Sequence, residues 1–202
     1  MKRLFLLLLA LTVGAETMSA AGRAAEILER LAAEFRAMPG YGVEFAVEAG
    51  DYRAEGGYAV QGAGYTLTLG DAEVYCDGEV RYEVDKARRE VTIAEVDTTS
   101  RNLLNNPVRA FDFLGDDYRP ELLSEADGQA VIRLRPVAAD GASAAGSITV
   151  TVDTVSMHPV QLDYDYDGER VRVVIRRVER LSEPLARFDP GRFEGYEFID
   201  FR

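Results

Sequence analysis

Several residue types that build catalytic and structural sites are nearly missing from this 202-residue chain. It has one histidine (His158), one cysteine (Cys76) and no tryptophan. With so few, a His-based triad beside a Cys nucleophile, a cluster of zinc ligands and any disulfide framework are all excluded. Basic residues are also scarce: 23 Lys and Arg stand against 35 Asp and Glu, a formal net charge of −12. No Lys/Arg cluster stands clear of interleaved acids, so the surface should repel phosphate backbones and nucleic acid is not an expected partner. Long apolar runs are absent except at the start. The 47% of hydrophobic residues in a chain of this length is nevertheless enough for one domain with a sizeable core.

The early apolar run, Leu4 to Val13, follows Met1-Lys2-Arg3 and ends in small residues around Ala15 and Ser19-Ala20-Ala21. Basic, apolar and small-residue regions in that order predict a secretory signal peptide over residues 1–21, cleaved after Ala15 or Ala21, and the run is too short for a bilayer anchor. No Cys follows it, which excludes a lipid-modified N-terminus. Cleavage after Ala21 removes Lys2, Arg3 and Glu16 and leaves 21 basic against 34 acidic residues, a net charge of −13. The mature chain, 22–202, is expected to be soluble and to form a single domain. In an oxidising compartment Cys76 has no internal partner, and a buried small apolar side chain in a strand is its expected role.

From Ser19 or Ala20 to Met38 the apolar residues Ile27, Leu28, Leu31, Phe35 and Met38 fall on one helical stripe, and Pro39-Gly40 ends the pattern. The period then changes from 3.6 to 2. Tyr41, Val43, Phe45 and Val47 alternate with polar or small residues, as do Tyr58 and Val60; Tyr65, Leu67 and Leu69; Val80, Tyr82 and Val84; and Val91 and Ile93. Further on, Ile148, Val150 and Val152, then Leu162, Tyr164 and Tyr166, then Val171, Val173 and Ile175 do the same. Asp77-Gly78 and Asp167-Gly168 are hairpin signals, and Asp127-Gly128 and Asp140-Gly141 add two breaks. These features predict a mainly β, α+β protein: an antiparallel meander with one dry face, which must curl round that face or be covered. Asn105-Asn106-Pro107 opens a short helix carrying Val108, Phe111 and Leu114, which reads as a plug or lid, and Tyr118 to Leu123 reads as a second helical turn.

No catalytic constellation emerges. Asp163-Tyr164-Asp165-Tyr166-Asp167-Gly168 matches the opening of a calcium loop, but the twelfth position is Val174, where a bidentate Glu is needed, and a hairpin with an acidic face is expected instead. His158-Pro159 has no second His or nearby acid to orient it and reads as a turn. Ser143 and Ser147 lie in no nucleophile elbow, and the glycines from Gly56 to Gly64 lie among strands, away from any strand-to-helix turn that could cradle phosphate. No cofactor or metal is expected. The tyrosines and aliphatic residues of the dry face fit an ordinary core or a ligand cavity, and the pattern alone does not separate the two.

Taken in order, several motifs resemble the outer-membrane lipoprotein carrier family, the LolA-like proteins, in particular their divergent Bacteroidota versions. They are the signal-like leader, the amphipathic helix, the Tyr41-to-Val47 strand, Gly57-Tyr58-Ala59-Val60 with Tyr65-Thr66-Leu67, the strand ending in Asp77-Gly78, the Asn106-Pro107 helix and the terminal Tyr196-to-Arg202 run. The resemblance implies an unclosed antiparallel β-barrel, with helices as a lid over a hydrophobic cavity and no enzymatic activity. It implies a monomer in the periplasm of a Gram-negative bacterium, taking acylated lipoproteins from an inner-membrane ABC transporter to an outer-membrane receptor. On this chain it implies a cavity wall of Phe45, Val47, Tyr58, Val60, Tyr65, Leu67 and Leu69 and a lid of Val108, Phe111 and Leu114. Better-known members carry an Arg-Pro before the third of these strands; here the stretch is Gln61-Gly62-Ala63-Gly64. A lipid- or partner-sensing regulatory module of the same fold is the alternative, and a hydrolase using surface carboxylates a more distant one.

Overall fold

The computed structural model describes residues 19–97, 108, 118–137, 146–166 and 168–202. Helix α1 spans Ala20–Arg36, and the Ser19 hydroxyl caps it by accepting from the Gly22 N–H at 3.2 Å. Its buried stripe is Ala24, Ile27, Leu28, Leu31, Ala32 and Phe35, as the periodicity predicts. Twelve strands follow: β1 (Gly40–Ala49), β2 (Tyr52–Gln61), β3 (Gly64–Leu69), β4 (Ala72–Cys76), β5 (Val80–Asp85), β6 (Glu90–Glu95), β7 (Tyr118–Ala126), β8 (Gln129–Pro136), β9 (Ile148–Asp153), β10 (His158–Tyr166), β11 (Glu169–Arg180) and β12 (Glu197–Asp200).

All twelve belong to one sheet in the order β12-β6-β5-β4-β3-β2-β1-β11-β10-β9-β8-β7. Two meanders, β1 to β6 and β7 to β11, are joined where β1 pairs β11; every neighbour is antiparallel except β12, which adds to β6 in parallel. The sheet curves but does not close, since β12 and β7 remain its two edges. Its concave face wraps α1. One core cluster unites the helix stripe with inward side chains of β1 to β4 and β8 to β11, among them Phe45, Tyr58, Tyr65, Ile132, Leu134, Val150 and Val173. Toward its N-terminal end the helix is tied down by Arg23, which donates to both carboxylate oxygens of Glu125 on β7 at 3.0 and 2.7 Å.

Three expectations need correction. Residues 118–123 are not helical: they lie in β7, where Leu122 faces Ile132 of β8. An edge strand tolerates Pro120 because one side of it has no ladder to break, and Asp127-Gly128 closes a two-residue hairpin whose two residues take φ of 51° and 76°, the twist that matches the flanking strands. His158 is not a turn residue but opens β10, with its ring 5.9 Å from that of Phe35. The third correction concerns the dry face, which changes sides. Tyr75 faces Tyr82 and Val84 faces Val91, so the apolar residues of β5 and β6 point to the convex side, away from α1.

A C-terminal strap, residues 181–202, covers that convex patch. Phe188 stacks on Tyr82 with centroids 4.2 Å apart and also on Phe193 at 5.6 Å, and Phe193 is buried at the end of a 3-10 turn, Pro190–Phe193. Polar clamps fix the strap to β4: Arg192 donates to the Tyr75 hydroxyl at 2.8 Å, and Tyr75 donates to Glu73 at 2.7 Å. The Glu73 carboxylate also meets Lys86 at 2.6 Å. Burial alone would raise the Glu73 pKa, but the hydrogen bonds from Lys86 and Tyr75 outweigh it and hold the carboxyl below its ordinary 4.5. A depressed carboxyl contributes stability above its ordinary pKa and loses it as pH falls through the folded-state value. Glu73→Gln is therefore expected to cost about 1–2 kcal/mol at neutral pH and to flatten the acid side of the urea-midpoint profile below pH 4.5. A variant with the wild-type acid slope would remove Glu73 from this role.

Candidate functional site: a covered concave wall

Cross-strand partners lie on one face, so the register arranges the concave surface in rows. One row runs Tyr41, Val60, Tyr65, Cys76, Arg81, Ala94. The next runs Val43, Tyr58, Leu67, Val74, Glu83, Thr92, and a third Phe45, Gly56, Leu69, Ala72, Asp85, Glu90. Each row is apolar from β1 to β4 apart from its tyrosine hydroxyls, and polar on β5. The change follows from the side swap: when the apolar residues of β5 turn to the strap, Arg81, Glu83 and Asp85 take their place inside.

All seven residues assigned to the wall lie on this face or at its margin. Phe45, Val47, Tyr58, Val60, Tyr65 and Leu67 are buried and Leu69 is half-buried, packed at the edge of the same cluster. What covers the buried six is the stripe of α1, with aromatic contacts running from helix to sheet: Phe35 meets Tyr41 edge-on at 4.8 Å, Tyr41 meets Tyr58 at 6.2 Å, and Phe45 meets Tyr58 at 6.0 Å. Of the three lid residues, Val108 is half-buried against this core, and Phe111 and Leu114 lie outside the described residues. Cys76 is buried on the same face, as expected of a free thiol in a strand.

Two buried side-chain polar atoms lack a hydrogen-bond partner among the described residues, the Tyr58 hydroxyl and Arg81 Nε, and both residues stand on the concave rows. Burial, reinforced by Tyr41, pushes the Tyr58 hydroxyl well above its ordinary pKa, so it stays protonated and able to donate. Burial also pushes the neighbouring Tyr65 hydroxyl up to about 12, with Cys76 adding to the effect and Arg81 opposing it. The alternation marks neither Tyr58 as a polar group nor Arg81, which it places on the wet side of its strand. The available signal is the hairpin at Asp77-Gly78: once Cys76 is inside, its partner across that turn must be inside too.

Chemically the arrangement is suited to binding. Its walls are aliphatic and aromatic from β1 to β4, with phenols and a thiol as their polar atoms, and give way on β5 and β6 to Arg81, Glu83, Asp85 and Glu90; among the described residues no group of three or more His, Cys, Asp or Glu is placed to hold a metal ion. Two other concavities differ in character. One of about 380 Å³ lies on the convex side over Gly42, Gly57, Ala59 and Thr66, and one of about 590 Å³ lies between Glu79, Glu95, Asp200 and Arg202.

No family model and no curated protein matches this sequence. Solved structures do match. An uncharacterized conserved protein from Thermus thermophilus, 8% identical, aligns over 88% of this chain and 99% of its own with a TM-score of 0.55. A putative outer membrane lipoprotein-sorting protein domain from Vibrio parahaemolyticus, 10% identical, aligns over 86% of this chain and 97% of its own with a TM-score of 0.43. A LolA superfamily protein from Nitrosomonas europaea, 12% identical, aligns over 80% and 94% with a TM-score of 0.37. At such identities the likeness to the Thermus protein is one of fold alone.

Proposed function

We propose that this chain is a periplasmic, non-enzymatic binding protein that takes the acyl chains of lipoproteins onto its concave wall and delivers them to the outer membrane. In this reading the mature chain is one domain, starting after Ala15 or Ala21 and running to residue 202. The observation that carries it is the wall itself: a continuous aliphatic and aromatic face, covered by one amphipathic helix, with the Tyr58 hydroxyl sealed inside and without a partner among the described residues. In a permanent core such a hydroxyl is a standing cost, because buried polar groups are nearly always paired. In a surface that opens, water or a ligand's ester carbonyl satisfies it each time.

Energetics make the exchange workable. Each methylene of an acyl chain gains about 0.8 kcal/mol on burial. Opening the wall costs the burial of Ile27, Leu28, Leu31 and Phe35, so the net affinity is a difference and stays reversible. Val108, half-buried against the same core, adds to that cover. Release then needs only a receptor with a better site. An inner-membrane transporter and an outer-membrane receptor would dock at the rim, where β5 and β6 present Glu83, Asp85 and Glu90.

The test is to purify the chain from its native periplasm, extract it and identify bound acyl species by mass spectrometry, then add outer-membrane vesicles. Acylated peptides in the extract that move to the vesicles are the expected result. An empty extract together with a stable complex on a membrane signalling protein would overturn the carrier reading in favour of the sensing module.

A further inference from the structure

Arg81 is the cation among the charged side chains that β5 turns inward where the greasy wall ends. It stands in the row Tyr41, Val60, Tyr65, Cys76, Arg81, at the point where the concave face passes from apolar to polar. Its side chain is only 22% exposed, and its Nη1 pairs with Glu83 at 2.8 Å. Glu83 is 44% exposed and stands two residues further along β5. On the inner side the guanidinium lies against the Tyr65 hydroxyl, and its Nε is buried with no partner among the described residues. A guanidinium edge is shaped to take two oxygens of a carboxylate or phosphate side by side. One donor is therefore spent on the rim, and another is desolvated and unpaired beside the tyrosine row.

Resting on the acyl-binding reading above, we propose that Arg81 is the head-group anchor of this site. It holds the anionic head of an acyl amphiphile while the tail lies along Tyr65, Val60 and Tyr41. The wall provides affinity for the chain in proportion to its apolar area; Arg81 provides register, fixing which end of the amphiphile sits at the polar boundary. Carboxylate and phosphate heads share this chemistry, and an inorganic anion with no tail does not exploit it.

Displacement of a fluorescent fatty alcohol from the full mature chain tests the proposal, using dodecanoate, dodecyl phosphate, dodecanol and inorganic phosphate as competitors. The wild type is expected to bind both charged amphiphiles about tenfold or more tightly than dodecanol, the scale of a charge-assisted hydrogen bond. Arg81→Gln brings them down to the dodecanol level of the same variant; Arg81→Lys, which keeps the charge and loses the fork, falls between. The tighter of the two charged competitors identifies the head group. A charged-to-neutral ratio unaltered in both variants, or displacement by inorganic phosphate as effective as by dodecyl phosphate, overturns the anchor. Should Arg81→Gln not fold, the Arg81→Lys ratio decides alone. Binding of dodecanol with no preference for charge sinks only this inference, whereas binding of none of the three amphiphiles sinks the acyl-binding reading with it.

Discussion

Replacing Leu28 and Leu31 together with alanine is expected to raise the affinity of the chain for a fluorescent fatty acid while lowering its stability. Both leucines are fully buried in α1 against the concave wall. A buried Leu→Ala change costs about 2–5 kcal/mol. If that cost falls on the covered state more than on the ligand-bound one, the closed population loses its advantage and apparent affinity rises, about tenfold for each 1.4 kcal/mol transferred. An affinity gain of tenfold or more is the expected reading, with near-UV tyrosine dichroism confirming that the sheet stays packed. A destabilised variant with wild-type affinity in its folded fraction would identify the helix stripe and the wall as an ordinary permanent core. Leu31→Ala alone should move both quantities in the same directions by a smaller amount, which guards against a double variant too weak to study.

Gly56→Ala should be among the most damaging single-methyl additions in the sheet. A Cβ there would clash with the Thr68 carbonyl oxygen and sit 3.1 Å from both the Phe45 ring and Leu69 Cδ1. The first contact is to backbone, so the strain cannot be relieved by a side-chain rotation. Phe45 and Gly56 face each other across β1 and β2, and the ring fills the space that the glycine leaves open. Overpacking at such a point costs about 3 kcal/mol, at the upper end of its usual range, and a urea midpoint measures it. Gly146→Ala meets nothing within 4 Å and is the neutral control. A Gly56→Ala loss under about 1 kcal/mol, on the scale of a propensity change, would mean that the Phe45 ring does not close over β2 and that the third row is misplaced.

The same glycine illustrates how the chain could be read in advance. Gly56-Gly57 among strands argued against a phosphate cradle, which is a matter of local geometry; that Gly56 exists to seat Phe45 is a matter of register, which no local pattern contains. Likewise α1 was legible because a 3.6 period, a serine cap and a Pro-Gly stop are all encoded within one segment. The hairpin at Asp77-Gly78 was legible because positive φ has few hosts, whereas Asp127-Gly128 reads only as a break because the strand before it reads as a helical turn.

Alternation tells that a strand has two unlike faces but not which of them points inward. On its own, the amino-acid order determined one amphipathic helix, a succession of two-faced strands, an excess of acidic residues and the scarcity of reactive groups, since each depends only on composition or on neighbours along the chain. The tertiary structure alone decided that β5 and β6 turn their apolar sides to the C-terminal strap, that α1 covers the wall, and that Arg81 is left beside the tyrosine row with its Nε unpaired among the described residues. Those outcomes depend on pairing between segments distant in sequence, which places Tyr82 and Val84 in a cluster with Phe188 and Phe193 and not with the helix.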